Sequence, residues 1–369
     1  MKDNNNKILL IFSSFLPYHF DKAEEISDLA NFLTISSFEK DYLSIQKANS
    51  RQIKNHKILY PDQIVEVIPF LKKQIRLFLE ILLRKEKKIF IGIGGNIRSY
   101  HPAIFLGVII KRFFFTKVFL MFDTNYTDRS RNVYKEFFKS FFLIPFSGAL
   151  CSSPQSAEYL DFLGFKRKPK TTYGLNTFNP NRFRKMAQPK EEPNQFLFVG
   201  RMSEEKNIDF LLQVYSDYSE SLKEEALPLK IIGDGPLQKD LVERAKILNL
   251  DEKIFLGTKN SDEISKELSN SKALLLPSFT ESWSLTVGEA VSMSVPVIMS
   301  DKVNSKSFLV RQLVNGLHIE PDNKEGWVRA LVKITSDSSF YRSLKIAPKS
   351  SEKYINVKSF RKAILALSE

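Results

Sequence analysis

Cysteine is almost absent: Cys151 stands alone in 369 residues. An intrachain disulfide is therefore excluded, as is any cysteine-based zinc cluster, and the count suits a reducing cytoplasm. Histidine is nearly as scarce. His19, His56, His101 and His318 are scattered without metal-ligand spacing, so no structural metal is expected. Long apolar runs are missing too. The two longest candidates, AIFLGVIIKRFFFTKVFLMF and FFKSFFLIPF, are broken by Lys and Arg or fall short of the roughly 20 apolar residues of a membrane span. The opening MKDNNNKILLIFSSFLPYHF loosely imitates a secretory leader. Asp3 sits in its would-be positive region and no small-residue cleavage site follows, so a first strand over residues 7–13 is expected instead. Glycine is lacking just after that run, where the loop reads SSFLPYHF. With no G-x-G-x-x-G there, a dinucleotide-dependent oxidoreductase is disfavoured.

What the chain does have is enough apolar residue, 43% with 26% charged, for two packed domains of ordinary size. Its net charge of +13 is unevenly placed: residues 1–190 hold 31 Lys and Arg against 16 Asp and Glu, residues 191–369 hold 24 against 26. A basic first half beside a near-neutral second half implies different partners for each. The sharpest basic run is PFLKKQIRLFLEILLRKEKKIF, where Phe70, Ile75, Phe78, Leu79 and Leu82 recur at helical spacing beside Lys72, Lys73 and Arg76. Such a helix could lie on an anionic membrane surface. It could equally pack on a sheet and keep a solvated basic face.

Apolar runs of strand length alternate with helix-patterned segments. The runs are KILLIFSS, IFIGIGG, KVFLMFD and GALCSS, then QFLFVGR, LKIIGDG, KIFLGT, KALLLPS and VPVIMS. Continuous apolar runs suit parallel strands buried on both faces, and their alternation with helices is the signature of doubly wound α/β domains. The stretch NPNRFRKMAQPKEEPNQF reads as a linker. The expected organisation is an N-terminal domain over 1–190, a C-terminal domain over 191–345 and a final segment over 346–369.

In open parallel sheets ligands bind beyond the carboxyl ends of the strands. The loops to inspect in the second half are therefore GRMSEEKN, GDGP, SFTESWS and SDKVNSKS. In the first, Arg201 and Lys206 lead into a helix start, a poor place for cations unless an anion such as a diphosphate lies between them. An exposed pair balanced by Glu204 and Glu205 is the bland alternative. Gly233 and Gly235 would let backbone approach a ligand closely, although a tight strand-to-helix turn needs glycine as well. In TESWSLTVGEA, a helix beginning near Ser284 leaves Glu281 in the preceding loop and Glu289 on the early turns. Carboxylates accept from pairs of sugar hydroxyls, and the amides at Ser284 and Leu285 favour an anion. A diphosphate joined to hydroxylated rings, as in a nucleotide sugar, would use all of these groups.

The second half resembles the donor-binding domain of the GT-B retaining glycosyltransferases, specifically glycosyltransferase family four. It carries FVGRMSEEKN, LKIIGDGP, IFLGTKNSDEISKELSNSKALLLPS, ESWSLTVGEA and VNGLHIEPDN in that family's order over roughly residues 190–335. Upstream, CSSPQSAEYLDFLGF and TTYGLNTFNPNRF are more loosely similar to the end of its acceptor domain. The resemblance implies two Rossmann-like domains facing a central cleft, with a C-terminal helix near residues 357–367 crossing back to the first. It implies that Glu281 binds donor sugar hydroxyls and that Glu289 holds the ribose. Arg201 and Lys206 clamp the diphosphate, and Gly257, Thr258 and Lys259 lie beside the nucleobase. Asp123, after the run KVFLMF, matches the place of a polar residue near the anomeric centre, with Asp128 and His101 as rivals. The implied reaction moves a hexose with retention, without an obligatory metal, from a UDP-sugar in preference to a GDP-sugar. The acceptor would be a glycan or lipid-linked saccharide of the cell envelope, met in the cytoplasm or on the inner face of the plasma membrane. Two departures stand out: serine replaces the family's usual glycine at 284 and 294, and the first phosphate loop lacks glycine. They motivate the rival reading of a non-catalytic partner subunit. A nucleic-acid-binding role for the basic half is the other rival. No reading motif accompanies it, so no nucleic acid partner is expected.

Overall fold

The computed structural model describes residues 7–40, 51–92, 102–128, 131–167, 169–172, 174–186, 192–346 and 349–369. The chain divides into two units: Met1–Phe178 with Asn356–Glu369, and Asn179–Ile355. This division differs from the expected one. Residues 179–186, read as linker, form the helix Pro180–Met186 of the second unit, where Ser265 Oγ donates to the Phe183 carbonyl at 2.8 Å and Arg184 Nε to that of Ser292 at 2.9 Å. Residues 187–191 lie outside the described residues.

The first unit is built on β1 (Ile8–Phe12), β2 (Ala30–Phe38), β3 (His56–Ile64), β4 (Lys88–Ile91), β5 (Lys117–Phe122), β6 (Gly148–Cys151) and β7 (Lys170–Thr171). They form one parallel sheet in the order β3-β2-β1-β4-β5-β6-β7, with Leu9 opposite Asn31 on one side and Ile89 on the other. Successive side chains of β1 enter opposite cores. Leu9 and Ile11 pack with Leu77, Ile81 and Val108, while Ile8, Leu10 and Phe12 pack with Phe20, Phe360 and Ile364. Burial on both faces explains the uninterrupted apolar runs. β2 and β3 escape that pattern. Asn31, Thr34 and Ser36 interrupt β2, and Thr34 Oγ1 hydrogen-bonds His56 Nε2 at 2.9 Å. β3 lies at the sheet edge, where Pro61 is tolerated.

The second unit has β8 (Gln195–Val199), β9 (Leu229–Ile232), β10 (Ser271–Leu276), β11 (Val297–Ser300) and β12 (Gly316–Ile319), parallel and ordered β12-β11-β10-β8-β9. KIFLGT is not a strand: after a 3-10 turn at Glu252–Ile254, only a single bridge joins Phe255 to Ile231. Gly257, at φ 66°, turns the chain away before a ladder can extend. The fifth strand is instead Gly316–Ile319, which Gly316 and His318 keep from forming the unbroken apolar run that marks the others. Among the described residues, no helix is long and apolar enough to cross a membrane.

Candidate functional site

Numbered within its own unit, the second sheet has the order 2-1-3-4-5, and its direction of winding reverses between β8 and β10. A crevice at the carboxyl ends of the strands is expected at such a switch point. The two loops leaving those ends are Gly200–Asn207 and Pro277–Ser284, which carry four of the residues singled out in the sequence, Arg201, Lys206, Glu281 and Ser284.

Lys206 and Glu281 are brought together there as an ion pair through Nζ and Oε2, each side chain only 16% exposed. Each compensates the other's charge, which partial burial would otherwise penalise. Lys206 closes a 3-10 turn, Glu204–Lys206, followed by Asn207 in the left-handed region at φ 56°. Asn207 was missed in the sequence. Its Nδ2 donates to the carbonyls of Pro277 at 3.2 Å and Pro321 at 2.9 Å, clasping the β8 loop to the segments after β10 and β12. Phe279 N also donates to Glu205 O at 2.9 Å. The only sequence signal for this clasp is an asparagine, tolerant of left-handed backbone, just before the helix Ile208–Leu222. Glu281 is held from a third side: it bridges Val303, and Asn304 N donates to its carbonyl at 3.0 Å. Arg201 lies half-buried on the same loop as Lys206.

The glycines are explained by close backbone approach. A Cβ on Gly233 would lie 1.9 Å from the Gly200 carbonyl oxygen, and one on Gly235 would lie 2.4 Å from that of Met202. Loop backbones there are joined by Gly200 N to Ile232 O at 3.0 Å and Met202 N to Asp234 O at 2.7 Å. Gly233 N donates onward to Gly257 O at 2.9 Å, which places the 257–259 loop beside the same strand ends. Thr258 and Lys259 there are half-buried.

The helix after Glu281 spans Leu285–Ser292, with Ser284 as its N-cap at φ 63° and no side-chain capping bond. Leu285 is its first residue, and Glu289, half-buried, lies one turn further on. Ser294 closes the helix at φ 58°. Both serines adopt left-handed backbone that glycine occupies without steric cost. Two buried atoms around the Glu281 loop, Ser278 Oγ and Trp283 Nε1, have no hydrogen-bond partner among the described residues.

Asp123 belongs to the other unit. It is exposed, just beyond the end of β5, and acts electrostatically on Lys22 of the helix Pro17–Glu25. Lys22 is buried, its Nζ 4.6 Å from the ring centre of Tyr18. Burial pulls its pKa from 10.5 to about 7, against the opposing pull of Asp123 and Asp21. His19, whose Nδ1 accepts from Leu16 N at 3.0 Å, is held well below its ordinary range by burial and by Lys22. Neither residue carries a sequence signal beyond its place after the first strand. The rival His101 lies outside the described residues, as does the side chain of Asp128. Among the described residues, no group of three or more His, Cys, Asp or Glu could hold a metal ion.

Two parallel α/β units with these strand orders have the GT-B architecture, a statement of fold. Residues 180–350 match the family model of the glycosyl transferases group 1. Among solved structures, Anabaena HepE in complex with UDP and glucose superposes at a TM-score of 0.74, covering 98% of this chain and 99% of that one at 13% identity, a likeness of fold. Among curated relatives, the UDP-Gal:alpha-D-GlcNAc-diphosphoundecaprenol alpha-1,3-galactosyltransferase of Escherichia coli is 31% identical over 148 residues, 39% of this chain and 38% of that one. The lipopolysaccharide 1,6-galactosyltransferase of Escherichia coli K12 is 29% identical over 164 residues, 42% of this chain and 44% of that one. The chain spans half or less of the length of the first curated relatives it matches.

Proposed function

We propose that this chain is a retaining hexosyltransferase of glycosyltransferase family four. It would carry a hexose from a nucleoside diphosphate sugar, uridine in preference to guanosine, to a lipid-linked saccharide or glycan of the cell envelope. The observation that carries this reading is the Lys206–Glu281 pair at the switch point of the second sheet, beside backbone that only glycine can form.

In this reading Arg201 and Lys206 hold the diphosphate, helped by the amides of Ser284 and Leu285. Glu281 accepts from the sugar hydroxyls and Glu289 from the ribose, while Gly257 and Thr258 face the base across the Gly233 turn. The acceptor oxygen bonds to the anomeric carbon as that carbon's bond to the diphosphate breaks. The acceptor proton passes to the departing diphosphate on the same face. The two cations then meet the charge that develops, and loss of one such donor commonly costs about 2.7–4 kcal/mol in the transition state. Asp123 is assigned to orienting the acceptor, near Lys22. The named substrates of the two galactosyltransferases, and UDP in the Anabaena structure, support the uridine and envelope assignments.

Thermal shift against a panel of nucleoside diphosphates, with Glu289→Ala alongside, tests it. At a hundred times its dissociation constant a nucleotide stabilises by about 2.7 kcal/mol. UDP should raise the melting temperature of the wild type and not of Glu289→Ala. No shift with any nucleoside diphosphate would overturn the reading in favour of a non-catalytic partner subunit.

A further inference from the structure

The helix Phe70–Leu83 packs on the first sheet through Gln74, Leu77 and Ile81. The apolar stripe that marks it in the sequence is divided: Phe78 packs against the core and Leu82 is half-buried, while Phe70, Ile75 and Leu79 are exposed, as are Leu71 and Leu83, the last 77% exposed. Its neighbour, the helix Pro102–Phe113, sends Ala103, Ile104 and Val108 inward and leaves Leu106 and Phe113 outside. The turn that follows carries Phe114 and Phe115, the latter 91% exposed. The next helix, Val133–Leu143, touches the second edge to face through Phe105 and Phe142 at 5.0 Å. Its outer side presents Val133, Tyr134, Phe137, Phe138 and Phe141. Three adjacent helices, packed on one core, thus turn exposed apolar side chains outward together, the kind of clustered exposure that marks an interaction surface.

Among the described residues of these helices and the turns after them, the exposed charges are of one sign. Lys72, Arg76, Lys85, Lys87, Arg112 and Lys135 are exposed on these helices and the turns after them. The acids among the described residues there are withdrawn or paired. Glu80 pairs with Lys57 at 2.7 Å and Arg84 at 2.9 Å. Glu86 is buried and accepts from Asn31 Nδ2 at 2.7 Å. Glu136 is buried and pairs with Lys139 at 2.9 Å. Where the first two helices end, a hollow of about 390 Å³ opens beside Phe114, lined by Arg84, Lys85, Lys87 and Lys111 with Glu86. Two copies of such a face would oppose their own cations. An anionic bilayer offers the complement to every part of it, acyl chains for the phenylalanines and phosphates for the cations.

We propose that this three-helix face docks the protein on an anionic phospholipid surface, with a lipid phosphate seated in the hollow between Arg84, Lys87 and Lys111. The inference deepens the proposed function, on which it rests for its purpose: it names the surface that would present a lipid-linked acceptor. The test is flotation of the full chain with vesicles of phosphatidylcholine alone, or mixed with phosphatidylglycerol at roughly two to one. The protein should float with the mixed vesicles only. A double variant, Phe115→Ser with Phe137→Ser, should lower the partition coefficient by more than about tenfold. So should Lys85→Glu with Lys87→Glu, the loss growing with added salt at low ionic strength. All four side chains are exposed, and an unchanged UDP shift in both variants separates lost docking from lost fold. Glu289→Ala, which loses that shift, should float like the wild type, so the two readings fail independently. Equal flotation with neutral vesicles, or flotation untouched by both double variants, overturns the proposal. So does a dimer in light scattering that the phenylalanine variant dissociates, which would assign the face to a second copy.

Discussion

Lys22 shows how a single residue records the use of its surroundings. A lysine only 3% exposed, beside Tyr18 and Phe360 rings, is an expensive choice for a core. Burial lowers its pKa to about 7, and the carboxylates of Asp123 and Asp21 recover only part of the loss. In the unfolded chain the same ammonium keeps its ordinary 10.5. Below about 7 both states are protonated and the folded state bears the whole penalty, which is relieved as pH climbs toward 10.5. Lys22→Met should therefore raise the melting temperature most below neutrality, and its advantage over wild type should shrink as pH rises. A gain constant across that range would mean that Lys22 is not titrating. Ser284 and Ser294 are legible at the same scale. The left-handed backbone found at both, φ 63° and 58°, is what the glycine usual in the resembling family would accommodate. The chain conformation is kept and only its side chain departs.

At the scale of the element, the C-terminal helix Val357–Ser368 illustrates what holds the first unit together. Phe360 and Ile364 are fully buried in the core shared with Phe20 and Leu10. Arg361 grips Asp28 through two hydrogen bonds of 2.7 Å, and a Cβ on Gly174 would stand 2.7 Å from the Ser359 carbonyl oxygen. Phe360→Ala should cost about 3–5 kcal/mol, read by urea denaturation, whereas Arg361→Ala at the surface should cost about 1 kcal/mol or less. A loss near 1 kcal/mol for Phe360→Ala would show the helix to be loosely docked. The helix Phe70–Leu83 carries the opposite lesson. Its helical period was visible in the sequence, but which of its apolar stripes turned inward was not. Gln74, Leu77 and Ile81 face the core, with Phe78 partly buried against it, while Phe70, Ile75 and Leu79 of the same stripe stay exposed.

At the scale of the molecule, each unit closes its own parallel sheet, and the chain passes between them near residues 178 and 355. A nucleotide held only by the second unit should slow hydrogen exchange at residues 200–206, 233–235, 256–259 and 281–289. The strands of the first sheet should exchange as before. Equal slowing across both sheets would contradict a donor site confined to the second unit.

By itself the sequence determined the α/β class, the strands buried on both faces, the loops that carry Arg201, Lys206 and Glu281, and the helix start that carries Glu289. These features are local: unbroken apolar runs, glycines at turns and charged residues just past strand ends are written in neighbouring positions. Strands whose polar residues find partners across the sheet, such as β2, leave no local trace. The clasp made by Asn207, the pairing of Lys206 with Glu281 across 75 positions, the depressed Lys22 and the outward turn of three apolar helix faces were decided only by tertiary structure. Each depends on groups that are distant in the chain and meet through the order of the strands, which no periodicity along the chain encodes.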